Sequence, residues 1–219
     1  PDPDRLIEAV GDLVEQAREH RVLEPAPLLV ETAPAPAGRL AFPGKIKALP
    51  GGGWAITDAG HHRIVVADEQ GGELARYGSG QAGFADGAAG EAMFRDPQGL
   101  VADTTTIYVA DTGNHAVRAI DRASGRVMTL AGTGRRGAIL GAPASAAETA
   151  LASPWDLEIE GGLLYVANAG SHQLGVLDLA AGTVARLAGN GAEALVDGEA
   201  LEGAALAQPS GLALDRSGR

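Results

Sequence analysis

The chain has 219 residues, of which 45% are hydrophobic, 32 are glycine and 12 are proline, and it has no cysteine. This composition predicts a turn-rich globular domain and excludes disulfides, thiol redox chemistry and cysteine-ligated metals in this polypeptide. The formal net charge of −11 argues against a nucleic-acid partner, because affinity for phosphates rests largely on Lys and Arg. No apolar run approaches the roughly 20 residues that span a bilayer, and no secretory signal is evident. We therefore expect a cytoplasmic protein without a membrane partner.

Residues 1–23 are predicted to form an amphipathic helix. Asp2 can cap its N-terminus, and Pro3 suits the first turn. The apolar face is expected to hold Leu6, Ile7, Val10, Leu13, Val14 and Ala17. Such a face needs a partner surface, either the side of the domain that follows or a domain upstream. Residues 24–41 contain four prolines between positions 25 and 36 and predict an extended Pro/Ala-rich linker.

From residue 42 onward the sequence repeats. A proline opens each unit, at positions 43, 97, 154 and 209. The units cover about 42–93, 94–150 and 151–205, with a partial fourth at 206–219. Period-two alternation bounded by turn residues predicts four antiparallel strands per unit. In the second unit these strands are expected at 99–102, 107–110, 116–121 and 127–131.

Repeated units of roughly 40 to 50 residues with four antiparallel strands each are typical of a β-propeller, in which every unit is a blade packed on its neighbours. We therefore predict an all-β propeller segment from residue 42 to residue 219, with three full blades and a partial one. An immunoglobulin-like sandwich is the alternative all-β fold. It would not explain internal identity at a fixed period.

The second and third strands of each unit are joined by a shared turn. Its glycine can adopt positive φ without steric cost, and its Asp or Asn can bond the local backbone. The first and last positions of the three turns are Asp58 and His62, Asp111 and His115, and Asn168 and His172. We assign these six residues to the architecture of the repeat.

Three histidines at one repeat position also suggest a zinc site, because neutral imidazole is a common ligand. A residue required once per blade lies at the same radius in every blade, however, and is too far from its copies to share one ion. The carboxylates recur with the turns in the same way, which favours a turn role over acid/base catalysis. We expect no catalytic residue, metal or other cofactor.

The phrases PQGL at 97–100, YVADTGNHAVR at 108–118 and TLAG at 129–132 resemble the NHL repeat. The resemblance covers 42–219 and implies a propeller, commonly six-bladed, that serves as an interaction platform. With FPGK at 42–45 behind a helix and a proline linker, the chain is similar to bacterial proteins that place a thioredoxin-like domain before an NHL propeller. A six-bladed ring would need about 330 residues of repeat. The chain would then be part of a longer protein, or two open arcs would self-associate through their blade edges.

Candidate binding residues are found where the copies differ. Loops 78–93, 132–150 and 189–205 are expected on the same face as the turns, and the middle loop carries Arg135 and Arg136 as candidate contacts for a protein or peptide. On the first strands, Lys45 and Asp156 replace the glycines at 99 and 211, and Trp155 stands where the other units have Gly44, Gln98 and Ser210.

First strands line the central channel of a propeller, so Lys45, Trp155 and Asp156 are expected near its mouth, where a peptide or small ligand could bind. The alternative is that Trp155 simply plugs the channel. For the whole segment we predict a non-catalytic interaction or scaffold role. The rival class is a propeller hydrolase such as a lactonase, or a metal-dependent lyase, with its site at the channel mouth. A lyase of that kind needs clustered ligands on the inner strands.

Overall fold

The computed structural model describes residues 3–20 and 39–215, and the chain divides into a unit of residues 1–35 and a unit of residues 36–219. In the first unit, helix α1 runs from Pro3–Glu19. Val10 and Leu13 on its expected apolar face are 52% and 64% exposed. The side chains of Leu6 and Ile7, and the predicted linker up to residue 38, lie outside the described residues.

The second unit consists of antiparallel sheets whose four main strands follow one another in chain order. The first sheet contains β1 (Pro43–Ala48), β2 (Trp54–Asp58), β3 (Arg63–Ala67) and β4 (Glu73–Tyr77). The second contains β5 (Leu100–Ala102), β6 (Thr106–Asp111), β7 (Ala116–Asp121) and β8 (Val127–Ala131). The third contains β10 (Pro154–Glu160), β11 (Leu163–Asn168), β12 (Gln173–Asp178) and β13 (Thr183–Ala188), with the short β9 (Ala144–Ser145) paired to β13. The all-β fold with four-stranded blades is therefore confirmed.

Two hydrophobic cores lie between successive sheets. The core between the first and second sheets contains Ile64, Phe94 and Ile107, all with no exposed surface. The core between the second and third contains Val117 and Leu164, which are also fully buried. Because the second sheet buries one face on the first sheet and the other on the third, the three sheets pack as consecutive blades.

Each turn is joined to the blade that follows it by the histidine at its end. The histidine adopts the left-handed conformation, and its Nδ1 accepts a backbone N–H from the residue that precedes the next unit's proline. These bonds run from Asp96 to His62 (3.2 Å), from Ser153 to His115 (3.1 Å) and from Gln208 to His172 (3.2 Å). The three donor residues also have positive φ, between 46° and 47°. The bond offsets part of the strain of this rare conformation, which costs of order 1 kcal/mol or more for a non-glycine residue.

The loops between blades lie against the turns. Asn114 in the second turn donates through its Nδ2 to the carbonyl of Gly83 at 2.6 Å, and Arg136 donates to the carbonyl of Gly170 in the third turn at 3.0 Å. The turns and loops therefore share one face of the three-blade unit, which we call the loop face.

Candidate functional site

The first strands of the three sheets lie side by side, with β5 in contact with both β1 and β10. Their backbones approach closely at Gly99, where a Cβ atom would lie 2.5 Å from the carbonyl oxygen of Trp155. Only glycine leaves room for this approach. A lysine on β1 can consequently reach past β5 to the third sheet.

Lys45 and Asp156 form an ion pair across β5. The Lys45 Nζ lies 2.5 Å from Oδ1 and 2.6 Å from Oδ2 of Asp156, whose side chain is 6% exposed. The same carboxylate accepts the backbone N–H groups of Leu157 at 2.8 Å and Leu212 at 2.9 Å. A second pair, Lys47 with Glu158, lies beside the first. Each lysine of β1 is paired with a carboxylate of β10, so the two ion pairs connect the first and third sheets.

Trp155 lies apart from this pair. It lies at a register irregularity of β10, between Pro154 and Asp156, and its indole, 40% exposed, lines a groove on the loop face with a volume of about 560 Å³. Neither Lys45 nor Asp156 lines it. Its lining residues are Arg136, Ser153, Trp155, Ala169, Gly170, His172, Glu193, Gln208 and Ser210.

The structure therefore brings together two residues that the sequence places in different candidate sets, Trp155 from the channel and Arg136 from the loop. Arg136 is exposed, and its guanidinium is anchored through Nη2 on the carbonyl of Gly170. Arg135 is also exposed but does not line the groove. We call this surface, defined by its lining residues, the Trp155 groove.

The Trp155 groove is also lined by Glu193, a residue that sequence reasoning missed. Its Oε1 accepts a hydrogen bond from the Nε2 of Gln208 at 3.1 Å, and its Oε2 lies 3.9 Å from the Nε2 of His172. A signal for Glu193 does exist in the repeat. It stands four residues after Gly189, at the loop position that Arg136 occupies in the preceding loop.

The histidine beside Arg136 is affected by its charge. Burial lowers the pKa of His115, and the positive charge of Arg136 lowers it further. Both effects favour the neutral imidazole, whose Nδ1 accepts the backbone N–H of Ser153. The bond between the second turn and the third blade therefore depends on an unprotonated ring nitrogen.

The turn positions Asp58, Asp111 and Asn168 are fully buried. Each accepts a backbone N–H near the start of its own unit, from Ala41 at 2.6 Å, Arg95 at 2.7 Å and Ala152 at 2.9 Å respectively. The expectation that these side chains bond the local turn backbone was wrong, because the donors lie 16 or 17 residues earlier in the chain. Burial raises the pKa of Asp111 to about 6, although hydrogen bonds from Asn114 and Arg95 and the charge of Arg118 oppose this effect. The three oxygens hold the repeat in shape and do not open into the Trp155 groove.

Across residues 3–20 and 39–215, no group of three or more His, Cys, Asp or Glu side chains is arranged to hold a metal ion. The same described residues contain no helix long and apolar enough to cross a membrane.

A family model for the NHL repeat matches residues 94–120. The chain is 37% identical over 199 residues to NHL repeat-containing protein 2 of Gallus gallus, which covers 82% of this chain and 27% of the relative. Its identity to the Homo sapiens protein of the same name is 36%, with the same coverage. Protein SUPPRESSOR OF QUENCHING 1, chloroplastic, of Arabidopsis thaliana is 37% identical over 181 residues, covering 80% of this chain and 17% of that one. The chain thus spans under a third of the length of these relatives.

Solved structures share the fold at low sequence identity. An auxiliary nutrient binding protein from Bacteroides thetaiotaomicron aligns with a TM-score of 0.57 and 14% identity, over 76% of this chain and 41% of that one. A protein of the same description from Bacteroides ovatus aligns with a TM-score of 0.56 and 20% identity, over 75% and 41%. The chain carries the NHL repeat, and its sheets are blades of an NHL-type β-propeller.

Proposed function

We propose that this propeller segment is a non-catalytic interaction module and that it binds an extended segment of a partner protein in the Trp155 groove. The observation that carries the proposal is the indole of Trp155, 40% exposed in a groove of about 560 Å³. Exposed aromatic and Arg side chains in a concave site are the residues that most often dominate protein binding energy.

The repeat supports this choice of site. Residues that every blade needs are the same in each copy, as the turn glycines and histidines show. The groove is built largely from positions where the copies differ, with Trp155 in place of Gln98 and Ser210, and Arg136 and Glu193 at one loop position that holds Ala82 in the first loop. Side chains that the blade architecture does not require are free to serve recognition.

The rival function, a hydrolase or lyase at the channel mouth, has less support. The channel residues Lys45 and Asp156 are bonded to each other. In the Trp155 groove, the imidazole of His172 accepts the Gln208 N–H and the carboxylate of Glu193 accepts the Gln208 amide. These groups are engaged in holding the third blade to the segment after it, so the geometry favours binding.

Peptide display tests the proposal. A library of random linear peptides is selected on the whole chain, and the enriched peptides are measured against Trp155→Ala and Trp54→Ala. Trp54 is the matched control because it is 39% exposed and lies outside the groove. We expect peptides whose affinity falls at least tenfold with Trp155→Ala and is unchanged with Trp54→Ala. The proposal would be contradicted if the enriched peptides bound Trp155→Ala as tightly as the unsubstituted chain, with both variants shown to be folded by circular dichroism.

Self-association through open blade faces stays a separate prediction. The third sheet presents an apolar groove of about 270 Å³, lined by Leu174, Leu187 and Leu212 among others. An uncovered apolar face of this kind favours association. Light scattering checks it, and a monodisperse monomer would contradict it. The six-bladed ring and the thioredoxin-like domain likewise stay predictions.

A further inference from the structure

The charges around the Trp155 groove indicate the chemistry of its occupant. Arg136 has five N–H donors, and one bond, from its Nη2 to the carbonyl of Gly170, holds it in place. The carboxylate of Glu193, in contrast, already accepts the Gln208 amide and faces His172. The Glu193 side chain is nevertheless 59% exposed, so the preference of the groove for one sign of charge depends on a second arginine beside Arg136.

A second arginine adds to this potential. Arg135 adjoins Arg136 and is exposed on the same loop. The chain has 17 basic residues against 28 acidic ones, so two adjacent arginines form a local cationic patch on an acidic protein. Such a patch attracts carboxylates while the remaining surface repels them, which would favour binding at this place and in this orientation.

We infer that the Trp155 groove takes an extended acidic peptide segment, with a carboxylate paired to Arg136 and a neighbouring apolar side chain packed on the indole of Trp155. A planar guanidinium fixed at one nitrogen can still offer two parallel N–H groups to a carboxylate. The indole supplies a large, rigid apolar surface beside it. This inference rests on the proposed function, because it names the partner chemistry of the same groove.

Tryptophan fluorescence gives a direct test, because the chain has two tryptophans. Trp54→Phe leaves Trp155 as the sole reporter. The probes are three peptides, acetyl-Gly-Leu-Asp-Asp-Leu-Gly-amide and its analogues with Asn-Asn and Lys-Lys at the centre. We expect a saturable change in Trp155 emission with the acidic peptide, at least tenfold weaker binding of the Asn analogue, and weaker binding of the acidic peptide at high salt. Equal binding of the three peptides, preference for the Lys peptide, or no change with any of them would overturn the inference.

Three charge variants of the reporter chain locate the effect. Arg136→Gln should lower the affinity for the acidic peptide at least tenfold. Arg135→Gln, the neighbouring control, should lower it by less, and Glu193→Gln should leave it unchanged or raise it. A loss with Arg135→Gln equal to that with Arg136→Gln would contradict the pairing with Arg136.

The failure of this inference can be told apart from failure of the proposed function. If peptides selected by display depend on Trp155, contain no Asp or Glu and bind Arg136→Gln with unchanged affinity, the groove binds partners, and the inference that it takes an acidic segment is wrong. If no selected peptide depends on Trp155, the interaction site itself is wrong.

Discussion

The second and third blades have the same turn backbone, but the buried turn side chains, Asp111 and Asn168, have different partners. In the second, Asp111 accepts the backbone N–H of Arg95 at 2.7 Å and pairs with Arg118 at 2.8 Å. In the third, Asn168 accepts the backbone N–H of Ala152 at 2.9 Å and donates through its Nδ2 to the hydroxyl of Ser171 at 2.7 Å. The feature common to both is a side-chain oxygen that accepts this N–H. The turn therefore requires an acceptor, and it does not require a charge.

The charge in the second blade comes with an extensive set of contacts. Arg118 is fully buried. Its guanidinium lies 5.0 and 5.1 Å from the ring centres of Phe84 and Phe94, and it also pairs with Asp86 at 2.7 Å. Burial alone would raise the pKa of Asp86, but hydrogen bonds from Thr129 and the charge of Arg118 outweigh it and lower that pKa. The loop before the second blade is thus held by ionic contacts.

The third blade holds its loop without ions. Gly175 stands at the repeat position of Arg118, and a Cβ atom there would lie 2.9 Å from Cδ1 of Leu140. The leucine thus occupies the space beside the strand. Gln173 completes the attachment, since its Oε1 accepts the N–H of Leu140 at 2.7 Å and its Nε2 donates to the Leu140 carbonyl at 3.1 Å. In the third blade, Leu140 and the amide of Gln173 therefore hold the loop that Arg118 holds in the second.

The largest expected difference between the blades is the cost of removing the turn acceptor. Asp111→Ala should lower the free energy of unfolding by about 3–5 kcal/mol, because it leaves the buried charge of Arg118 short of a partner. Asn168→Ala should lower it by about 1–3 kcal/mol, the cost of unsatisfied neutral groups. Urea denaturation at pH 7.5 measures both, at a pH above the value of about 6 for Asp111. Equal losses would show that the charge does not decide the cost.

The second expected effect is strong coupling inside the ionic blade. Arg118→Met alone leaves Asp111 buried without its cation, while Asp111→Asn with Arg118→Met makes this part of the second blade neutral like the third. Replacing a whole buried ion pair by apolar groups is often nearly neutral. We expect the double variant to lose about 2 kcal/mol less than the sum of the single variants in a double-mutant cycle. Additive losses would refute the coupling.

A smaller loss is expected from the neutral network of the third blade. Gln173→Leu should lower the free energy of unfolding by about 1–3 kcal/mol, because the Leu140 N–H and carbonyl lose their partner. Gln70→Leu is the control at an exposed glutamine and should change stability by less than about 0.5 kcal/mol. If both substitutions are equally neutral in urea denaturation, the amide of Gln173 does not hold the loop.

The comparison also shows which features the sequence can predict. The strands of the second blade follow from local alternation. The predicted 116–121 and 127–131 match β7 and β8, β5 begins one residue later than predicted, and β6 is one residue longer at each end. The buried turn oxygens at Asp111 and Asn168 follow from repetition. Both kinds of signal are local or periodic, which is why a single sequence carries them.

Contacts between blades were harder to predict. The reach of Lys45 to Asp156 spans 111 positions in the chain and depends on the close approach of backbones at Gly99. The meeting of Trp155 with Arg136 depends on how the loop before the third blade folds back onto the turn. Neither distance follows from the pattern of one unit, because it is set by the packing angle between units. Trp155 also lies at a register irregularity between Pro154 and Asp156, where strand alternation does not set the direction of the side chain.

The smallest expected effect concerns pH and the histidine between the second and third blades. Burial and the charge of Arg136 lower the pKa of His115 in the folded chain. Between its ordinary value of about 6.5 and the lower folded value, the unfolded chain binds more protons than the folded one. The contribution of this group to stability is therefore complete above pH 6.5 or so and is lost as the pH falls through that window. Arg136→Gln should raise the pKa of His115, measured by NMR titration.

The matched control is Arg135→Gln, since Arg135 stands next to Arg136 and the lowered pKa of His115 arises from burial and the charge of Arg136. It should leave the pKa of His115 unchanged at low ionic strength, where an exposed charge acts over the longest distance. Equal shifts in the two variants would mean that the general charge of the loop, and not the anchored guanidinium of Arg136, acts on the imidazole. Because Arg136 also lines the Trp155 groove, an acidic peptide bound there should offset its charge and raise the pKa of His115 in the same direction as Arg136→Gln. That titration would connect the histidine contact between the second and third blades to occupancy of the groove.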